Sequence, residues 1–209
     1  MMKTTDSVKA FIRSILAGMM IGIGGTVYIS CDNRYVGSFL FALGLLVIII
    51  FKLDLFTGKV GYLVYRKTTV PRLILVWLGN LIGAVSTGMV LYLTRLYPVL
   101  SEKAKTMCEV KVNDSYLSVL ILGFFCGMLM FIAVDGYKSA SGDSTRTVII
   151  FLPVIVFILC GFEHCVADMY YVAIAGEYTL NSLIFLLIVT VGNTIGALTT
   201  AYGLKKSEV

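Results

Sequence analysis

Six apolar runs, several of them as long as a bilayer is thick, set the first limit on what this chain can fold into. A helix needs roughly 20 apolar residues to cross the hydrocarbon core. Residues 10–29, 70–94, 115–134 and 180–203 meet that length without interruption. Two further runs are broken partway. The second goes from Ser38 through FLFALGLLVIII to Lys52, is interrupted by KLDLFTGK and resumes as VGYLVY. The fifth, residues 146–160, is interrupted at GFEHCVAD and resumes as MYYVAIA. Composition points the same way: 58% of the residues are hydrophobic and 14% charged, against roughly 25% charged in soluble domains. With a mean hydropathy of +0.93, this excess cannot be hidden inside one soluble core. The expectation is an all-α, multi-pass membrane protein forming a single channel-sized domain over residues 1–209. The first run lacks an A-x-A-like exit and continues as a span, so no cleavable signal peptide is expected.

Charge then sets orientation. With the N-terminus inside, ten Lys/Arg residues from Lys3 to Lys206 lie on the cytoplasmic side. Arg34, Arg95, Lys103, Lys105 and Lys111 lie outside, and Lys52 and Lys59 belong to the interrupted run. The positive-inside rule therefore places both termini in the cytoplasm, in a cell (inner or plasma) membrane. No soluble surface carries clustered Lys/Arg with interleaved aromatics, so nucleic acid is not an expected partner; the lipid bilayer is. Cys126, Cys160 and Cys165 read as small packing residues, and Cys31 and Cys108 could pair only if both are external. No cysteine spacing resembles a zinc or redox motif, and no cofactor or metal is expected.

The third run contains WLGNLIGAV and the sixth TVGNTIGAL; Gly79-Asn80-x-Ile82-Gly83-Ala84 aligns on Gly192-Asn193-x-Ile195-Gly196-Ala197 at an offset of 113. The broken runs sit at a similar offset, Thr57 against His164. Each half (about 8–96 and 112–204) then holds three segments in the order clean, broken, clean. Because three is odd, the halves run oppositely through the membrane as an inverted repeat. Small residues every fourth position are also ordinary helix-packing seams. Paired broken helices, however, point to a transport site near the bilayer midplane. Half-helix N-termini offer unpaired amides and a dipole that attract anions, so a small anion is favoured.

The segments LDLFTGK (53–59), LGFFCGMLMFIAV (122–134), FLPVIVFILCGFEHCVADMY (151–170) and VGNTIGA (191–197) resemble the formate/nitrite transporter family. The resemblance covers nearly the whole chain. It implies an aquaporin-like fold, a homopentamer, and passage of small monovalent anions. By motif, His164 matches the family's central histidine and Thr57 the threonine of the first broken helix. Lys111, eleven residues before Leu122-Gly123, matches a lysine that opens the fourth helix and lends positive potential to the pore. Asn193 joins these as a pore candidate. The family's apolar rings fall on Phe41, Leu45 and Phe157 on the outer side, and on Leu55, Phe56 and Met130 at or near the inner one. Three asparagines usual in the family are replaced, by Gly127, Asp168 and Lys59. With only a stub before the first span, gating by a long N-terminal segment is not expected.

The chemistry of the fifth run can be read residue by residue. An intramembrane histidine can simply bond a neighbouring helix, but beside a broken helix His164 reads as the residue that meets the ion. Low-dielectric surroundings disfavour a charged imidazole, so it is expected mostly neutral at pH 7, as a hydrogen-bond donor and a proton partner for the anion. An unpaired carboxylate in oil is too costly to persist, so Glu163 is expected to accept bonds from amides freed at the break. Asp168 is expected to cap the second half-helix or to pair with a cation, of its own chain or across a subunit boundary. One histidine without a third clustered ligand does not make a metal site. Thr57 is a backbone hydrogen-bonder or a substrate contact. The expected function is a channel for a small weak-acid anion, with formate first and nitrite and hydrosulfide alternatives, and not an enzyme. A neutral-solute channel of aquaporin type would place Asn-Pro-Ala at the half-helix tips, where LFTG and FEHC stand instead. An intramembrane enzyme would have only Cys165 as its nucleophile.

Overall fold

The computed structural model describes residues 4–207; Lys3, counted in the charge balance, lies outside the described residues. Among the described residues every regular element is helical: α1 (Thr4–Ser30), α2 (Arg34–Ile50), α3 (Phe56–Lys59) continued by a 3₁₀ turn (Val60–Leu63), α4 (Val70–Leu91), α5 (Tyr97–Val112), α6 (Tyr116–Ser139), α7 (Asp143–Leu159), α8 (Cys165–Ala175) and α9 (Leu180–Ser207). Four stretches are long and apolar enough to cross a membrane: Asp6–Ser30, Val70–Leu91, Tyr116–Ser139 and Leu180–Ser207. Leu43, Ile74, Ile82, Phe125, Leu187 and Ile195 are exposed along these helices and α2, as a lipid-facing or subunit-facing flank requires.

The two breaks are made by the same local device. After α2, Lys52 takes a left-handed φ of 54°, and the Leu53 N–H returns to the Ile48 carbonyl at 2.8 Å. After α7, Gly161 takes a φ of 70°, and the Phe162 N–H returns to the Phe157 carbonyl at 2.9 Å. Each is a Schellman-type helix stop, in which the 6→1 bond satisfies a carbonyl that the ended helix would orphan. Glycine adopts that conformation freely, whereas Lys52 carries about 1–2 kcal/mol of strain. The chain then turns extended at Leu55 (φ −98°, ψ 129°) and at His164 (φ −110°, ψ 109°), and a second helix begins.

Both resumptions come earlier than the apolar pattern suggests. The first starts at Phe56 rather than Val60, as one α turn passing into a 3₁₀ turn. The second starts at Cys165 rather than Met169. In each case the residue in extended conformation just ahead acts as N-cap, and apolarity carries no record of it. The segment between the third and fourth runs is also not a loop. Residues 97–112 form α5, with Pro98 in its first turn and Leu100, Ser101, Ala104 and Cys108 buried on one face against α8. Among the described residues all five cysteines are free; Cys31 does not pair with Cys108, which is buried, and Cys160 is exposed rather than packed.

The main packing seams join α1 to α4 and α6 to α9, through corresponding small residues. A Cβ on Gly18 would fall on the Asn80 carbonyl, and one on Gly127 on the Asn193 carbonyl. Gly83 abuts the Ile15 carbonyl as Gly196 abuts that of Phe124; Gly79 lies on Ser14 as Gly192 lies on Gly123. Gly127 is therefore fixed by backbone contact, and an asparagine there would have no room. Trp77 of α4 donates to Thr190 Oγ1 of α9 at 3.1 Å, tying the two seams together. Gly127→Val should cost about 1–3 kcal/mol or more from overpacking, read as a lower melting temperature in detergent. Gly203→Ala, with nothing within 4 Å of its added Cβ, should melt with the wild type. Equal melting of both variants would rule out the close approach.

Candidate functional site

The second half-helix in each half of the chain is held by one asparagine. Asn80 of α4 accepts from the Phe56 N–H at 2.8 Å and donates to the Ser14 and Asp54 carbonyls at 2.7 and 2.9 Å. Asn193 of α9 accepts from the Cys165 N–H at 2.9 Å and donates to the Gly123 and Glu163 carbonyls, each at 2.8 Å. Both are fully buried. Each amide thus closes an N–H and a carbonyl that helix interruption would leave unmade in a low-dielectric interior, and ties them to a carbonyl of an unbroken helix, Ser14 of α1 or Gly123 of α6. In the structure Asn193 braces the second break. Asn80, its counterpart, is a site-forming residue that the sequence reading left as part of a packing motif, although the repeated Gly-Asn pair was its signal.

The braces correct the alignment of the two breaks. Phe56 and Cys165, Asp54 and Glu163, and the N-cap residues Leu55 and His164 occupy equivalent places. Thr57 is therefore not the counterpart of His164; it comes from the opposite half to meet it. Thr57 Oγ1 lies 2.9 Å from His164 Nε2, and both residues are buried. His164 Nδ1 accepts from the Ala167 N–H at 3.1 Å, which makes the imidazole the cap of α8. A nitrogen that accepts carries no proton, so the network assigns the neutral tautomer with hydrogen on Nε2, donated to Thr57. At the start of this second half-helix the Cys165 amide is taken by Asn193 and the Ala167 amide by His164.

Of the acidic residues of this break, Glu163 has another partner than expected, whereas Asp168 pairs with a cation, one of its two expected roles. Lys111 does not open α6, which begins at Tyr116 with Ser115 as its cap. It lies in the last turn of α5 and turns inward onto both carboxylates, contacting Glu163 directly and Asp168 Oδ1 at 3.1 Å. Glu163 holds the break through Lys111, not by accepting freed amides. Asp168 pairs with a cation of its own chain, and the capping role belongs to His164. Burial works against the charge on Lys111, but the two carboxylates outweigh it and hold the ammonium above the ordinary lysine range. The first break carries its own ion pairs, which the sequence reading missed: buried Asp54 meets Lys59 at 2.6 Å and Arg72 at 3.1 Å.

Two cavities are bordered by His164 or by the chain neighbours of Thr57. One of about 90 Å³ is bordered by His164, Lys111, Asp168, Phe157, Tyr28 and Tyr171, among others. Phe157 stacks on the His164 ring at a centroid distance of 5.6 Å and meets Phe41 edge to face at 5.8 Å, so Phe157 adjoins the histidine and Phe41 lies behind it. The other cavity, of about 360 Å³, is bordered by Leu55 and Gly58 beside Thr57, with Lys52, Lys59 and Lys138 at its rim. Phe56 does not share that cavity: it borders a lateral apolar groove with Trp77 and Leu187. Leu45 and Met130 are buried. Asn193→Ala should leave the buried Cys165 N–H and Glu163 carbonyl unmatched, a loss of about 1–3 kcal/mol or more. A lowered detergent melting temperature together with faster amide exchange at Cys165 would register it; wild-type exchange there would refute the brace.

Comparison with known proteins gives this arrangement its relatives. A sequence model described as formate/nitrite transporter matches residues 2–204. The formate channel FocA of Escherichia coli K12 is 28% identical over 190 residues, 80% of this chain and 66% of that protein. A formate-nitrite transporter of Entamoeba histolytica is 27% identical over 92% of this chain and 62% of its own length. The chain thus spans just under two thirds of the length of these relatives. Among solved structures, a pentameric formate channel with formate bound superposes with a TM-score of 0.82 at 25% identity, covering 99% of this chain and 98% of that one. An ion channel of the same family has the same fold, with a TM-score of 0.86 at 24% identity over 96% of this chain and 90% of the other. Matched over nearly all of its length, this all-helical membrane chain belongs to the formate/nitrite transporter family.

Proposed function

We propose that the chain is a transmembrane channel for a small monovalent weak-acid anion, with formate first on the precedent of its relatives and nitrite and hydrosulfide compatible in charge and size. The observation that carries this reading is the 2.9 Å meeting of Thr57 and His164 beside two cavities, at two helix breaks contributed by opposite halves. In this reading α2 with α3, and α7 with α8, are discontinuous fifth and sixth spans added to the four clean ones, and the chain is two inverted three-helix repeats. The corresponding Gly18–Asn80 and Gly127–Asn193 contacts support it, as do the matching asparagine braces. Five copies assemble, as in the pentameric relative, in a cell membrane with both termini cytoplasmic.

The lysines around the Leu55 cavity raise the local concentration of anions on that side. At the narrow region Phe41, Phe157 and Leu55 exclude water. There the Thr57 hydroxyl and the Nε2–H of His164 offer hydrogen bonds to the anion's oxygens. A bare anion crosses apolar rings only at high cost, so passage is completed by a proton that neutralises it. His164 supplies a hydrogen bond rather than that proton while its Nδ1 is held by Ala167.

Purified protein in liposomes should conduct formate. Thr57→Ala and His164→Ala should each change its flux by about tenfold, the equivalent of one strong hydrogen bond. Flux should also rise with an inward proton gradient at fixed voltage; flux that follows voltage alone would remove the neutralising proton from the mechanism.

A further inference from the structure

The Lys111 cluster holds more acid than base. Its two carboxylates, Glu163 and Asp168, share one ammonium, and the three side chains are 5%, 1% and 16% exposed in that order. Asp168 Oδ1 faces Lys111, whereas Asp168 Oδ2 has no hydrogen-bond partner among the described residues, although it is fully buried. With both carboxylates ionised, the cluster would bury an excess negative charge and an unpaired anionic oxygen, each of which is expensive in such surroundings. Two carboxylates this close relieve that cost by holding a proton between them.

We propose that Glu163 and Asp168 share one proton over Lys111, forming a proton-binding site that sets the charge of the His164 cavity. The proposal rests on the channel reading for its consequence but not for its chemistry. Asp168, Lys111 and His164 border the same 90 Å³ cavity, so the protonation state is felt where the anion arrives. With the proton bound, the cluster is neutral and the anion enters. As pH rises and the proton leaves, the cluster becomes negative and repels it.

The remaining groups around Asp168 do not supply a second positive charge. Cys108 of α5, Cys126 of α6 and Tyr171 of α8 lie within electrostatic reach, as does Cys165 of α8; Tyr28 of α1 borders the same cavity. Facing α8 from α4 and α9 are Gly88 and Asn193, neither of which titrates. His164 is held in its neutral tautomer by Ala167 and Thr57. Lys111 is the cation of the cluster, and the second carboxylate is balanced only by a proton.

Asp168→Asn tests this directly, because one carboxylate and one ammonium then remain at every working pH. The ratio of formate flux through the variant to that through wild type should rise several-fold from mildly acidic to mildly alkaline pH. Taking a ratio cancels the pH dependence of formate itself. Infrared spectroscopy of the purified wild type near neutral pH should show a carboxylic-acid C=O band that shifts on isotopic labelling of aspartate or glutamate carboxyl carbons and is missing from the variant. A flat flux ratio, or a wild-type spectrum without that band, overturns the proposal. If the variant fails to fold, the labelled wild-type spectrum decides alone. A band present in a protein that conducts no anion would keep the proton site and remove the channel reading.

Discussion

Everything in this structure depends on ending a helix inside an apolar interior without abandoning its backbone. Water is not available there to take over the freed N–H and C=O groups, and each one left unmade costs several kcal/mol. The chain meets this twice with one solution: a left-handed residue closes the first half-helix, and a buried asparagine from another helix binds an N–H and a carbonyl of the restart and ties them to an unbroken neighbouring helix. Asn80 and Asn193 can reach those groups only because Gly18 and Gly127 let the paired helices touch backbone to backbone. The small-residue seams and the site are therefore one mechanical unit.

Electrostatics then distinguishes two breaks that are otherwise alike. Asp54 and Glu163 stand at equivalent places, but Asp54 meets two cations, Lys59 and Arg72, while Glu163 shares a single cation with Asp168. One break leans basic and the other acidic. Between them sit a hydroxyl and an imidazole whose tautomer is selected by the N-cap bond it makes to its own helix. The same ring thus terminates a helix and presents an N–H to the narrow region, and protonating Nδ1 would break the cap.

How much of this is legible in the sequence varies with the physics involved. The four clean spans follow from apolar length alone. The breaks were visible because charged and glycine residues interrupt apolar runs, and the Gly161 stop is of a kind sequence can announce. Lys52 does the same work with no such signature. Helix α5 was hidden because its buried face is small and its composition polar, and with it went the true setting of Lys111. The Gly-Asn repeat marked both braces, yet repetition alone could not distinguish a packing seam from a bracket.

The sequence by itself determined that the chain is an all-helical membrane protein with two interrupted helices and one buried histidine, because partitioning between water and oil depends on composition and length. Only the tertiary structure decided which groups meet. It placed Thr57 against a histidine from the other half, turned Lys111 inward onto two carboxylates, and set Asn80 and Asn193 against the amides of Phe56 and Cys165. Those outcomes depend on the relative placement of α3, α5, α8 and α9 in space. Hydrogen bonds and ion pairs are short-ranged and directional, so no linear spacing encodes them.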